Sequence, residues 1–172
     1  YWNTDSTNLP ARMHSYYLRN MYLNNLLREK NALDVDGVKI DLSAVKIPTY
    51  FLSTSQDHIA LWKASYEGAK VLGGKPRFVL GGSGHIAGVI NPPAADIYNY
   101  WTNDSLPEDS DEWFQGAESH RGSWWPDWEA WIQEQGGAER VPAREPGDGP
   151  LAAIEDAPGS YVRMRIQDVV GR

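Results

Sequence analysis

The chain has 172 residues, about the length of one domain and enough for a single hydrophobic core. Its 23 acidic residues outnumber its 16 basic residues, and the net charge of −7 without a long basic cluster argues against nucleic acid as a partner. The absence of cysteine excludes disulfides, thiolate metal sites and a cysteine nucleophile within these residues.

The first elements of the chain are a predicted helix and a predicted hairpin. The spacing of the apolar and aromatic residues favours a helix that begins after Pro10. These residues are Met13, Tyr16, Tyr17, Met21, Leu23 and Leu27. The stretch DVDGVKIDL, residues 34–42, alternates polar and apolar residues around Gly37. This alternation predicts a small hairpin or an extended excursion.

A strand, a helix and a second strand are predicted next. The short apolar run IPTYFLS, residues 47–53, is typical of a buried strand. A helical pattern runs from Ile59 to Leu72 and is closed by two glycines, and RFVLGG, residues 77–82, follows as another buried strand. Such a βαβ unit predicts an α/β fold with a parallel sheet and with its loops gathered at the carboxyl ends of the strands.

The last third of the chain is rich in aromatic residues. Residues 98–131 hold a cluster of tryptophan and tyrosine that indicates a flat amphipathic surface or an aromatic-lined cleft. WWPDWEAWIQEQ, residues 124–135, predicts a helix whose indoles pack against the sheet or form an exposed hydrophobic contact surface. Residues 136–149 predict an exposed linker, and a short strand is expected around residues 161–166.

Asp57 and His85 are the candidate catalytic residues. Each follows a predicted strand by a few residues, and open parallel sheets carry their chemistry at this edge. The carboxylate would orient the imidazole, whose other nitrogen could accept a proton from a nucleophile. Three other interpretations stay open at this point. His85 could be an ordinary turn residue, Asp57 could cap a helix starting at Ile59, and His58 could bind a metal, although one histidine beside one aspartate is no metal signature.

Several motifs together resemble the C-terminal part of the class I poly(3-hydroxyalkanoate) synthases. In chain order these motifs are WNTDSTNLP, STSQDHIALW, RFVLGGSGHIAGVINPP, YWTND, HRGSWWPDWEAW and APGSYV. The resemblance implies the C-terminal portion of an α/β-hydrolase fold, preceded by the end of a cap subdomain, and a triad of cysteine, aspartate and histidine. Asp57 and His85 match the aspartate and the histidine of that triad, while His58 and Trp2 fall in matching stretches and are expected near the substrate.

The resemblance also implies an organisation of the chain. Residues 1–33 would end the cap, residues 34–135 would belong to the catalytic domain, and residues 136–172 would form a linker and tail. The polar start is no signal peptide, and no apolar run approaches the roughly 18 residues of a membrane span. We therefore expect a partial sequence whose nucleophilic cysteine lies upstream and which is inactive alone. The role of residues 167–172 is not predicted.

The implied activity is polymerisation of (R)-3-hydroxyacyl-CoA into polyester with release of coenzyme A. The resemblance further implies no metal or other cofactor, a homodimer in the full-length form, and a cytoplasmic location on polyester granules. Two other kinds of function stay open from the residues. One is an esterase or polyester depolymerase on the same fold, and the other is a non-catalytic fragment that binds granules or mediates dimerisation.

Overall fold

The computed structural model describes residue 6, residues 8–136 and residues 140–170, with the side chains of residues 169 and 170 left aside. The chain divides into two compact units, residues 1–136 and residues 137–172. Within the described residues, no helix has the length and apolar character needed to cross a bilayer.

The predicted first helix and hairpin are both present. Helix α1, Ala11–Tyr17, continues into a π-helical turn at Leu18–Leu23. The side-chain amide of Asn20 donates to the backbone oxygen of Tyr16 at 2.9 Å, and such competition for the carbonyl four residues earlier loosens a helix. Strands β1, Asp34–Val35, and β2, Val38–Lys39, pair antiparallel.

The main sheet has four strands in the order β3, β4, β5, β6. Its elements in chain order are β3 (Tyr50–Thr54), α2 (Trp62–Lys70), β4 (Arg77–Gly81), α3 (Ala87–Ile90), β5 (Asn99–Thr102), α4 (Ser110–Gln115), β6 (Glu118–Arg121) and α5 (Trp125–Glu134). Strands β3 and β4 are parallel, so the predicted βαβ unit is confirmed.

The predicted parallel sheet is confirmed only for β3 and β4, because β5 and β6 both join the sheet antiparallel. Gly81 ends β4 and is the register partner of Tyr100, near the start of β5. The chain therefore turns back at the end of the sheet where β4 terminates. Between β4 and β5 there is no crossover connection to the opposite end, so β5 runs antiparallel to β4. The result is a mixed sheet with flanking helices.

Helices α2 and α4 cover one face of the sheet. The buried residues between them and the strands are Tyr66, Ala69, Phe78, Leu80 and Trp113. The Phe78 and Trp113 rings meet edge to face, with centroids 5.0 Å apart, and Tyr66 meets Phe78 in the same way at 5.1 Å. Edge-to-face ring pairs stabilise a core beyond the effect of the apolar area that they bury. These three rings therefore fix the helices on this face.

Helix α5 covers the opposite face and is tied to the start of β3 and β4 by a polar cluster. The Tyr50 hydroxyl donates to Oδ2 of Asp127 at 2.8 Å, and the Arg77 guanidinium donates to both carboxylate oxygens of Asp127. Burial, followed by the hydrogen bond to Asp127, raises the pKa of Tyr50 far above its ordinary value. The hydrogen bond to Asp127 also raises the pKa of Arg77. Asp127 therefore accepts three hydrogen bonds, one from Tyr50 and two from Arg77.

The indoles of α5 pack against the sheet and against one another. The Trp124 and Trp131 rings both contact Tyr50, with centroid distances of 6.2 and 5.4 Å. Trp124 is buried, while Trp125 is 37% exposed. The predicted helix of residues 124–135 is thus confirmed within one residue at each end, and these contacts support the packing interpretation of its tryptophans.

The second unit contains helical turns, and the strand predicted around residues 161–166 is wrong. Tyr161–Arg163 forms a 3-10 turn, and α6 spans Ile166–Val170. The Asp168 carboxylate accepts a hydrogen bond from the Arg165 backbone nitrogen at 2.9 Å, which is the contact that a capping box makes at a helix start. Residues 140–149 hold neither helix nor strand.

Removing the carboxylate at position 127 should destabilise the fold strongly. Asp127→Ala leaves the half-buried Arg77 and the Tyr50 hydroxyl without their shared acceptor, and breaking a buried pair costs about 3 kcal/mol. Asp111→Ala, which removes an exposed pair with Lys63, is the control and should cost about 0.5 kcal/mol. Denaturant unfolding measures both, and equal losses would contradict a central role for the Asp127 cluster.

Candidate active site

The two turns that carry the candidate residues lie side by side at the carboxyl ends of β3 and β4. Thr54 and Gly81, the last residues of these strands, are register partners. Beyond them the Ser55 backbone nitrogen donates to the Gly81 oxygen at 2.8 Å, and the Gln56 nitrogen donates to the Ser83 oxygen at 3.0 Å. The backbone pairing therefore continues past the sheet and fixes one turn against the other.

The structure brings Asp57 and His85 into direct contact. Nδ1 of His85 lies 2.7 Å from Oδ2 of Asp57. The Asp57 side chain is 8% exposed and the His85 side chain is 45% exposed. The acid is thus shielded while the imidazole still faces outward, which is the arrangement needed for an orienting acid and an accessible base.

The second carboxylate oxygen of Asp57 has a structural task. Oδ1 accepts hydrogen bonds from the backbone nitrogens of Ile59 and Ala60 at 2.8 and 2.9 Å. The capping interpretation needs one correction, because α2 begins at Trp62 and not at Ile59. Asp57 therefore caps the bend ahead of the helix with one oxygen and contacts His85 with the other.

The hydrogen bonds to Asp57 keep its carboxylate ionised. The hydrogen bond from His85, followed by the backbone hydrogen bond from Ala60, lowers the pKa of Asp57 to about 2. An ionised carboxylate can only accept hydrogen bonds, so the Nδ1 atom of His85 carries the proton in this contact. In a neutral imidazole Nε2 then keeps its lone pair, and no hydrogen bond reaches Nε2 from the described part of the chain.

The backbone around His85 is set by Ser83 and Gly88. Ser83 has a φ of 73°, an unusual left-handed conformation for a residue other than glycine. Just after His85, the Gly88 nitrogen donates to the Gly84 oxygen at 2.9 Å and closes the turn that contains the histidine. A Cβ at Gly88 would lie 2.4 Å from the Gly82 oxygen and 2.6 Å from Cγ2 of Thr54. The sequence pattern did not single out Gly88, because its close approach to Thr54 of β3 arises only in the folded structure.

The two other candidate residues are not part of this contact. His58 follows Asp57 in the chain, but its side chain is exposed. Trp2 lies outside the described residues. Three apolar residues within four positions of Asp57 or His85 in the chain, Ile59, Leu61 and Ile86, are each more than 60% exposed. The segments that carry the pair therefore expose apolar side chains.

Comparison with known proteins identifies relatives of this chain, although no family model matches it. The chain is 49% identical over 165 residues to the poly(3-hydroxyalkanoate) polymerase subunit PhaC of Cupriavidus necator, covering 96% of this chain and 28% of that protein. It is 52% identical over 165 residues to the same subunit of Rhizobium meliloti, covering 96% of this chain and 26% of that protein. Poly(3-hydroxyalkanoate) polymerase 2 of Ectopseudomonas oleovorans is 41% identical over 165 residues, again 96% of this chain and 29% of that protein. The chain spans about a quarter of the length of these relatives.

An added methyl group at position 88 should displace the turn that carries His85. Gly88→Ala places a Cβ against a backbone oxygen that cannot move without shifting β4, and such overpacking costs about 1–3 kcal/mol. Gly68→Ala is the control, because its Cβ meets nothing within 4 Å and alanine favours the helix by about 0.5–1 kcal/mol. Denaturant unfolding distinguishes the two, and a neutral Gly88→Ala variant would show that the close approach does not matter.

The Asp57 carboxylate should stabilise the fold in a pH-dependent way. Its pKa is lowered in the folded protein, so its contribution is fully present above the ordinary pKa of about 3.9 and is lost as the pH falls towards about 2. The difference in unfolding free energy between the unmodified protein and Asp57→Asn should therefore shrink over this pH range. Asp111→Asn serves as the exposed control. A difference that stays constant down to pH 2 is incompatible with this assignment.

Proposed function

We propose a function from the premise that this chain is homologous to the C-terminal part of the poly(3-hydroxyalkanoate) polymerases. In this proposal it supplies the acid and the base of an acyl-transfer site that makes polyester from (R)-3-hydroxyacyl-CoA. The observation that carries the proposal is the 2.7 Å contact between Nδ1 of His85 and Oδ2 of Asp57, which leaves Nε2 of an exposed imidazole free.

The first chemical step would load the acyl group onto a cysteine. The thiol comes from outside these residues, since the chain has no cysteine. Nε2 of His85 accepts the thiol proton, and the resulting thiolate attacks the thioester carbonyl of the substrate. The C–S bond to coenzyme A breaks, and the coenzyme A sulfur leaves with the proton from His85. Asp57 stabilises the imidazolium that exists between these two proton transfers.

The second step would lengthen the polymer with the same base. Nε2 of His85 accepts the proton of a 3-hydroxyl group, and the hydroxyl oxygen attacks the carbonyl of the acyl-cysteine thioester. An ester bond forms, the cysteine thiolate leaves, and the proton on His85 returns to it. Because the cysteine lies outside this chain, the isolated 172 residues would be inactive.

The proposal extends to the parts of the protein around the site. Residues 1–33 would end a cap subdomain over an α/β-hydrolase domain, and residues 136–172 would be its linker and tail. His58 and Trp2 would line the path of the substrate. The full-length protein would act as a homodimer at the surface of polyester granules in the cytoplasm. What supports these assignments is the identity over 165 residues to proteins named as polymerases.

Substitutions at the acid and the histidine test the proposal in the full-length protein. His85→Gln removes the base and should lower the rate of coenzyme A release about 10²- to 10⁴-fold. Asp57→Asn should lower the rate by about 10⁴, because an amide favours the wrong tautomer. Asp111→Asn, an exposed carboxylate on α4, is the control and should retain full activity.

The measurements are coenzyme A release and the chemical identity of the product. Polymer in the unmodified protein supports the synthase, whereas free 3-hydroxy acid would indicate a hydrolase. Wild-type polymer formation by a folded His85→Gln variant would refute the role of His85. A negligible effect of Asp57→Asn would leave capping of the bend as the task of Asp57.

A further inference from the structure

The helical turn that follows His85 ends on two tryptophan side chains. The indole nitrogen of Trp124 donates to the Val89 oxygen at 3.0 Å. The indole nitrogen of Trp125 lies 3.2 Å from both the Val89 and the Ile90 oxygens. Carbonyls in the last turn of a helix lack partners within the helix, so these two N–H groups supply acceptors of α3 with donors that its own backbone cannot provide.

Helix α3 and His85 belong to one continuous turn. The hydrogen bond from Gly88 to Gly84 spans His85, and the bonds from Val89 and from Ile90 to Ile86 continue the same winding. The N-terminal half of α3 presses against the strand ends through Gly88. Its C-terminal end accepts hydrogen bonds from the two indoles, and Asn91, which directly follows α3, donates to the Ile97 and Gly122 oxygens. A shift at this end would therefore rotate the turn that presents the imidazole to Asp57.

The two indoles are held in place by ring contacts with each other, with Trp128 and with the sheet. Their rings stack with centroids 4.7 Å apart, and the Trp128 ring meets both edge to face. Trp124 also packs on Tyr50 of β3. The third residue of α5, Asp127, is bound to Arg77 and to Tyr50. The donors thus stand on a helix that is fixed to the same sheet as the acid.

We propose that Trp124 and Trp125 are positioning residues for His85. Their N–H groups hold the end of α3, and α3 holds the imidazole at hydrogen-bond distance from Asp57. This inference rests on the proposed function, because it assigns the two indoles to the same acid and base. It differs from simple packing of α5 on the sheet, since packing needs the rings and positioning needs their N–H groups.

Tryptophan-to-phenylalanine substitutions in the full-length protein separate the two roles. Trp125→Phe keeps an aromatic ring and removes the N–H, and a Trp124→Phe, Trp125→Phe double variant removes both donors. Trp128→Phe is the matched control, because Trp128 belongs to the same ring cluster but its nitrogen has no hydrogen-bond partner in the described residues. Three quantities are measured: kcat and KM for coenzyme A release, the pH dependence of alkylation of the nucleophilic thiol, and the thermal midpoint.

Positioning predicts a fall in kcat of about tenfold for Trp125→Phe and about a hundredfold for the double variant, with KM unchanged. The pH profile of thiol alkylation should also shift, because a displaced imidazole withdraws the thiol proton less effectively. Trp128→Phe should match the unmodified protein in kcat and in this profile. A lower thermal midpoint alone, with both catalytic readouts unchanged, would overturn the inference.

Two further comparisons distinguish failure of the positioning role from failure of the proposed function. If the double variant does not fold, Trp125→Phe decides alone, because Trp125 is partly exposed and its replacement keeps a ring in the stack. His85→Gln is measured in the same assays. Loss of activity in His85→Gln together with normal Trp125→Phe kinetics rejects only the positioning role. Normal activity in His85→Gln rejects the proposed function itself.

Discussion

The parallel pairing of β3 with β4 is the constraint on which the candidate site depends. It aligns Thr54 with Gly81, so two turns of unrelated sequence leave the sheet at the same level. The two hydrogen bonds beyond the strands then tie the turns together before any side chain is involved. A shift of one residue in this register would turn every side chain of the shifted strand to the other face of the sheet and part the acid from the histidine.

Within that frame, capping and orienting are compatible tasks for a single carboxylate. The two oxygens of Asp57 are used separately, one for the backbone nitrogens of Ile59 and Ala60 and the other for His85. The backbone contacts also fix the rotation of the carboxylate, so Oδ2 faces the imidazole without further support. Capping and orienting were competing interpretations at the level of sequence, because a sequence does not show which carboxylate oxygen makes which contact.

The sequence predicted those features that depend on short-range pattern. The strand, helix and strand from residue 50 to residue 81 and the contact between Asp57 and His85 follow from apolar runs and from the rule that loops of parallel strands share an edge. The antiparallel direction of β5 was not predicted, because its pairing with β4 is a tertiary contact that no short-range sequence pattern specifies. Gly88 and the indole donors were missed for the same reason. The chemical role of Asp57 and His85 stays a prediction.

The exposure of His85 carries one more consequence for the chemistry. An imidazole that is 45% exposed is screened by water, which weakens its attraction to a thiolate and to Asp57 alike. Exclusion of water would strengthen both interactions. The side chains of Ile59, Leu61 and Ile86, close to the pair in the chain, are exposed and would favour contact with an apolar group over open solvent. We therefore expect a substrate that displaces this water to strengthen the contact between His85 and Asp57.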